Sequence, residues 1–346
     1  MMVREMKKMI LSCLIAVIFL FSGCENADNN NVDVPHATKE IFAMDTYMML
    51  TAYGEQAEKA VDEAVVEIKR LDKLLSVGEP DSEVYHINSD GKGTLSEDVQ
   101  LLLEKSSWIY NNTGGTYDIT VYPLMKLWGF TEEKQSVPSQ KEIDKVLGYI
   151  GFDKLHYADG EISLAENQGI DFGGIAKGYT GERIMQIFEK YDVISGVISL
   201  GGNVQCFGAK TDGSLWKCGI TDPDNPQDSN KLLGIVSVRD KAVITSGGYE
   251  RFFEENGKTY HHIMDVKTGY PAKSGLRSVT IVSNDGTLAD GLSTACFVMG
   301  KEKAVSFWEK HKDKFDMILM TDENRIFVTE GIAGNFSSER DFERIA

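Results

Sequence analysis

Cysteine is scarce and poorly spaced for building anything from sulfur. Five cysteines in 346 residues include no CxxC pair, which argues against a structural zinc site and against a disulfide framework. Beyond Cys13 and Cys24, the set is Cys206, Cys218 and Cys296. Cys206 with Cys218 is an open pairing in an oxidising compartment, and buried free thiols are the simpler reading. Positive charge is also short: 36 Lys and Arg stand against 53 Asp and Glu, for a formal net charge of −17. General nucleic-acid binding needs basic surface to neutralise phosphates, so that class is excluded. Two common nucleotide devices are missing. Gly202 and Gly208 lack the Gly-Lys-Ser/Thr ending of a Walker A loop, and no GxGxxG follows a strand. An acidic chain that handles a polyphosphate therefore needs local help from a metal, a lysine or backbone amides. No Pro/Ser-rich linker and no internal repeat divides the chain, so its lobes are expected to intertwine.

The N-terminus departs from this globular pattern. Arg4, Lys7 and Lys8 precede an apolar run from Met9 to Phe21 that ends in Ser22-Gly23-Cys24. A charged start, a short apolar core and small residues at the end make an export signal. The run falls short of the roughly 20 residues that a spanning helix needs. Leu20-Phe21-Ser22-Gly23-Cys24 resembles a bacterial lipobox, with Phe21 where Leu is usual. The expectation is a lipoprotein signal over 1–23, lipidation at Cys24, and a disordered tether over 24–39; an uncleaved anchor is the alternative. The protein is then exported and held by lipid alone, on the outer face of a bacterial cytoplasmic membrane or in the periplasm.

The rest of the chain, 40–335, reads as one domain with a short tail over 336–346. Ile41–Tyr53 reads as a strand, and helical spacing of apolar residues predicts a helix over Glu55–Leu75. Ser96 is placed to cap a helix running to Asn112. Ser139-Gln140-Lys141-Glu142 is a capping box that opens another. Short β-like runs follow near Lys154–Tyr157 and Glu161–Leu164. A helix over Gly174–Tyr191 comes next, then strands over Val193–Ser199, Gly234–Val238, Ala242–Ser246 and Arg277–Ser283. Helices over Leu288–Met299 and Glu302–Lys312 precede closing strands over Asp316–Met320 and Arg325–Thr329. The strands and helices do not alternate regularly, which predicts an α+β fold of mixed or antiparallel sheets packed with helices.

Three double-glycine turns stand out: Asp171-Phe172-Gly173-Gly174, Leu200-Gly201-Gly202-Asn203 and Thr245-Ser246-Gly247-Gly248. Glycine lets backbone approach a ligand closely. The first turn feeds a helix, whose free N–H groups suit an anion, with Lys177 one turn in; each is equally readable as a simple turn. Asp290 and Thr294 sit four apart on one helical face, offering a carboxylate and a hydroxyl to a hard cation. Asp290 also fits as a helix N-cap. Adjacent His261 and His262 point opposite ways on a strand and make a poor two-ligand metal site. One of them suits general-base work, the alternative being a half-buried structural histidine.

The order of these motifs resembles the ApbE family. It runs Ala43-Met44-Asp45-Thr46, Leu75-Ser76 with Pro80-Asp81-Ser82-Glu83-Val84, and Gly115-Thr116-Tyr117-Asp118-Ile119-Thr120-Val121 with Leu127-Trp128-Gly129-Phe130. Asp171 to Tyr179, Leu200 to Asn203, Thr245 to Gly247, Tyr249 to Phe252, His262 to Gly269 and Ala289 to Ala295 complete it. The resemblance implies two intertwined lobes around an FAD cleft. It implies Mg2+-dependent transfer of FMN from FAD to a Ser or Thr of an acceptor protein, a redox or electron-transfer subunit, with release of AMP. By motif position, Met44, Thr116, Tyr117, Asp118, Asp171, Lys177 and Met264 are expected to line the FAD site. Gly174, Asp290 and Thr294 are expected to hold the metal, with Ser293 a possible addition, and His262, supported by Asp265, to act as base. Two departures stand out: Gly78 where many relatives carry an aromatic residue, and Gly248 where Asp is common. They leave open an Mg2+-dependent FAD diphosphatase; a flavin-binding lipoprotein without turnover is a third reading.

Overall fold

A computed structural model describes residues 34–132 and 134–346. The expected export signal, the Cys24 lipidation site and the tether up to residue 33 lie outside the described residues. From His36 to Ala43 the chain is in a strand, so residues 36–39, expected as tether, belong to the folded body. The stretch read as one strand over 41–53 is a hairpin of His36–Ala43 and Thr46–Tyr53. Met44 and Asp45 turn it, both with positive φ of 47° and 57°. Two-residue hairpin turns favour glycine or asparagine there, which is why the turn is hard to see in the sequence.

Nine strands make the main sheet, in the order His36–Ala43, Thr46–Tyr53, Ser195–Leu200, Asn203–Phe207, Ala242–Gly247, Leu276–Ser283, Phe315–Thr321, Ile326–Thr329 and Phe342–Ile345. All pairs are antiparallel except the last. The C-terminal segment is therefore no tail: Phe342–Ile345 closes the main sheet, and Phe336–Ser337 pairs with Leu232–Val238 in a three-stranded sheet with Trp216–Thr221.

Side chains alternate across a strand, and here the alternation sorts two cores. Ile244, Val279, Ile281, Met317 and Leu319 face a helical layer. Val243, Val282, Ile318 and Met320 face the three-stranded sheet. Each fully buried aliphatic side chain contributes about 1.5–3 kcal/mol relative to exposure. The helical layer includes Ala57–Leu75, Glu97–Thr113, Ala176–Lys190 and Gly286–Met299. The caps read from sequence form: Ser96 accepts from the Val99 N–H, and Ser139 and Glu142 close their capping box. A smaller apolar cluster of Leu124, Trp128, Phe130, Ile143, Ile150 and Met264 sits beside this body.

Register gathers the motifs. Met48 opposes Leu200, and Val243 opposes Val204. The Met44-Asp45 turn, the Gly201-Gly202 turn and the Ser246-Gly247 strand end therefore share one end of the sheet.

Candidate functional site

The Ala176–Lys190 helix has no side-chain cap of its own. Its third amide, Gly178 N–H, donates instead to Asp290 Oδ2 at 2.8 Å. Asp290 comes from the neighbouring Gly286–Met299 helix, which Asp285 caps by accepting from the Leu288 N–H. Asp290 thus lies in the second turn of its helix and does not open it, contrary to the N-cap alternative. The two helices can come this close because residue 178 is glycine. A Cβ there would fall 2.2 Å from the Gly286 carbonyl oxygen and 2.7 Å from Asp290 Cβ. Gly178→Ala should therefore destabilise the protein by about 1–3 kcal/mol, the usual cost of overpacking, and a thermal melt measures it.

The other Asp290 oxygen accepts from Asn203 Nδ2 at 3.0 Å. Asp290 is 5% exposed and Asn203 4%. Among the described residues no lysine or arginine forms an ion pair with this carboxylate. A carboxylate buried between two neutral donors has no balancing charge beside it, and a cation close by would supply one.

Hydroxyls surround it. Ser293 Oγ donates to the Asp290 carbonyl at 2.7 Å and lies 2.7 Å from Ser246 Oγ, which is 3.3 Å from Thr294 Oγ1. Ser293 is thus engaged inside its own helix and with Ser246, whereas Thr294 is partly open. Gly174 completes the group: a Cβ there would meet Tyr117 Cε2 at 3.1 Å and Thr294 Oγ1 at 3.8 Å. Tyr117 Oη is buried without a partner. Burial first, then the Asp290 charge, pushes its phenol well up, so it stays a neutral donor.

Among the described residues no cluster of three or more His, Cys, Asp or Glu gathers. Nothing among the described residues gathers into a soft or carboxylate-rich metal site. One carboxylate with a hydroxyl, a glycine turn and an orphaned phenol is a hard-oxygen donor set. It fits a Mg2+ whose remaining positions go to phosphate and water.

The residues expected to line the flavin site divide. Asp171 holds its own turn, accepting from Gly173 N–H at 2.7 Å. Burial raises its carboxyl, opposed by that N–H and by the Arg251 and Lys177 charges. Met44 Sδ lies 3.7 Å from Thr180 Oγ1, one turn along the same helix as Lys177. Met44 N–H donates to Asp72 Oδ1 at 3.0 Å, which steadies the positive-φ turn. Thr116 sits at the end of the Glu97–Thr113 helix, its hydroxyl 3.4 Å from the Thr113 carbonyl. Asp118 and Met264 are placed differently. Asp118 spends both oxygens on structure, accepting from the Thr120 N–H and hydroxyl and from Phe152 N–H. Met264 is buried in the Trp128 cluster. In the structure Asp118 is engaged in holding its own turn and Phe152, and Met264 in packing against the Trp128 cluster.

His262 Nδ1 lies 3.1 Å from the Arg251 carbonyl. A carbonyl only accepts, so Nδ1 carries the hydrogen and Nε2 keeps a free lone pair. Support therefore comes from Arg251, and not from Asp265, whose Oδ1 accepts from Lys267 N–H in its own turn. His261 faces the opposite way, towards Phe297 and the Ala272 carbonyl. Crowding by protein, then the Arg251 charge, pushes His262 down to about 3, with Lys177 adding to it; the ring is only half-buried, which softens that push.

The sign follows. Unfolded, this ring takes a proton near its ordinary value of 6.5; folded, it resists until about 3. Its contribution to stability is complete above about 6.5 and is lost as pH falls from there towards 3. In the free protein the His262 ring should stay neutral from pH 8 to about 5, as NMR of its ring carbons will show. An ordinary titration near 6.5 would mean that the fold does not shield this ring.

Glu250 adds a further carboxyl to this wall. Surrounding protein pushes it up to about 7, with Asp290 adding and Lys177 and Arg251 opposing. Its side chain remains open to water, which softens that push. A cavity of about 890 Å3 lies on the His261 side, lined by Gly248, Tyr249, Tyr260, Ala272 and Phe297 among others; Asp290, Thr294 and Tyr117 are not part of its lining.

Sequence reasoning assigned no role to Asn203, Ser246, Gly178 or Arg251. All four lie inside quoted motifs, so the signal was present without the partner that explains it. Asp72 lies in none.

Residues 44–319 match a sequence profile of the ApbE family. A protein of Treponema pallidum named FAD:protein FMN transferase is 31% identical over 297 residues, covering 80% of this chain and 81% of its own. One of the same name from Haemophilus influenzae is 29% identical over 285 residues, covering 79% and 82%. Among solved structures, the ApbE protein of Thermotoga maritima superposes with a TM-score of 0.81 at 31% identity, covering 89% of this chain and all of that one. The apo form of the Pseudomonas stutzeri flavinyl transferase ApbE gives 0.77 at 26% identity, covering 89% and 98%.

Proposed function

Because the chain belongs to the ApbE family, we propose that it is an FAD:protein FMN transferase. In this reading Mg2+ is its metal, a Ser or Thr hydroxyl of an acceptor protein is flavinylated, and AMP is released. The observation that carries it is the buried Asp290 carboxylate, held by Gly178 N–H and Asn203 beside Thr294, Gly174 and the unpartnered Tyr117 hydroxyl. Relatives named FAD:protein FMN transferase support the flavin and the protein acceptor.

Asp290, Thr294 and the Gly174 carbonyl would hold the metal, with Ser293 and Ser246 bracing Thr294. When bound, Mg2+ supplies Lewis-acid stabilisation of charge on the diphosphate. Lys177 brings a positive charge to the same wall, where it acts on Asp171, Glu250 and His262. His262 Nε2 accepts the proton of the acceptor hydroxyl. That oxygen forms a bond to the FMN phosphorus as the bond between this phosphorus and the AMP oxygen breaks. AMP leaves with the electron pair. The acceptor suited to such a product is a redox or electron-transfer subunit. Export and anchoring through Cys24 are part of the same proposal and place the reaction outside the cytoplasm.

Hydrolysis of FAD to FMN and AMP is the second reading, favoured by the open ground at Gly78. A side chain there would meet nothing nearer than Ser76 Oγ at 4.0 Å, so the space that a ring could fill at this position is open. One experiment separates the two. The full chain is incubated with FAD, Mg2+ and a candidate acceptor, and the acceptor is weighed by mass spectrometry. An added FMN mass that disappears with a chelator supports transfer. Free FMN and AMP with an unmodified acceptor mean hydrolysis.

A further inference from the structure

We infer that Cys206 and Cys218 are a disulfide site that clamps the three-stranded sheet onto the main sheet. Cys206 lies on the Asn203–Phe207 strand of the main sheet, and Cys218 on the Trp216–Thr221 strand of the smaller one. Their sulfurs touch at 3.6 Å across the interface between the two sheets. Both belong to the apolar cluster that joins them, with Val236, Val243 and Val282. Cys206 is fully buried and Cys218 is 6% exposed. Sulfurs already in van der Waals contact need a modest side-chain adjustment to reach a bond of about 2.05 Å. Cys296, the other described thiol, is buried on a helix in the opposite core, so within the folded body the pairing has one solution.

The surroundings say when the bond forms. The neighbouring Cys218 thiol, then burial, pushes the Cys206 thiol well up, and in the closed fold both sulfurs are shut away from an oxidant in solution. Oxidation belongs to the stage at which the two sheets close on each other. One cysteine thiolate attacks a disulfide-bearing oxidant such as glutathione disulfide, releasing one glutathione thiol. The second cysteine thiolate then attacks the mixed disulfide and releases the other. Two protein S–H bonds are lost, one S–S bond forms, and the oxidant's S–S bond becomes two thiols.

The test reads sulfur, so its outcome is independent of flavin chemistry. The full chain is denatured and reduced, then refolded either in a glutathione disulfide buffer or in dithiothreitol. Both samples are alkylated in denaturant and peptide-mapped. The expected result after oxidising refolding is a linked Cys206–Cys218 pair with Cys296 alkylated. A melting temperature about 5 °C above the reduced protein should accompany it, and Cys206→Ala should abolish that increment. Full alkylation of Cys206 and Cys218, stable glutathione adducts on them, bonds to Cys13, Cys24 or Cys296 instead, or no gain in melting temperature would each overturn the inference.

Discussion

Asp290→Asn should slow FMN transfer about a thousandfold. Metal assistance of this kind is worth several kcal/mol, at about 1.4 kcal/mol per tenfold in rate. The substitution keeps the shape but removes the charge. It also turns one acceptor into a donor, so Asn203 must turn its amide over or one of the two donors loses its partner. Such a loss costs about 1–3 kcal/mol of stability, which a protein of this size should survive folded. The measurement is a pair: Mg2+ affinity by calorimetry in the presence of FAD, and label on the acceptor. The prediction is weakened affinity together with slow transfer, in a protein that still melts cooperatively. Wild-type metal response in a folded Asp290→Asn protein would end the case for this carboxylate as the metal's anchor.

His262→Ala should cost about 10²–10⁴-fold in the single-turnover rate, the usual contribution of a positioned base. FAD and Mg2+ binding should change little, since the ring's resolved bond is to the Arg251 carbonyl and not to the Asp290 cluster. The loss therefore belongs in the rate at saturating FAD and not in affinity. His262→Gln is the useful companion, because it can hydrogen-bond but cannot take a proton at working pH. If alanine transferred FMN at the wild-type rate, the acceptor hydroxyl would need no base from this residue. If glutamine restored the rate, His262 would be orienting the acceptor and not deprotonating it.

The sequence carried this site unevenly. Asp290 and Thr294 were legible as a pair because four residues on a helix share a face, and the structure places them together. Their partners were not legible. Asn203 is 87 residues from Asp290, and no periodicity links a hairpin turn to the second turn of a distant helix. The family resemblance offered Ser293 as a possible further ligand; its bond to the Asp290 carbonyl follows from helix geometry, where a serine reaches back one turn. Asp118 sits inside a motif rich in polar residues, yet its oxygens are consumed by Thr120 and Phe152.

The fold shows the same division. Long amphipathic helices such as Ala57–Leu75 were clear from spacing, within a residue or two at their ends. The Met44-Asp45 hairpin was not, because no glycine marks it. Strands at the chain's C-terminal end were missed for another reason: Phe342–Ile345 is short and largely exposed, so its place in the sheet depends on its neighbour and not on its own pattern.

The Asp290 cap on the Ala176–Lys190 helix ties two tasks to one side chain. Its Oδ2 caps the first turn of the helix that presents Lys177, and in the proposed function the same carboxylate would hold the ion. Anything that shifts this carboxylate, whether an ion of another radius or a neighbouring mutation, also shifts the root of the lysine. Choice of metal and reach of the positive side chain are thus geared together, and an engineer who wants to change one must redesign both.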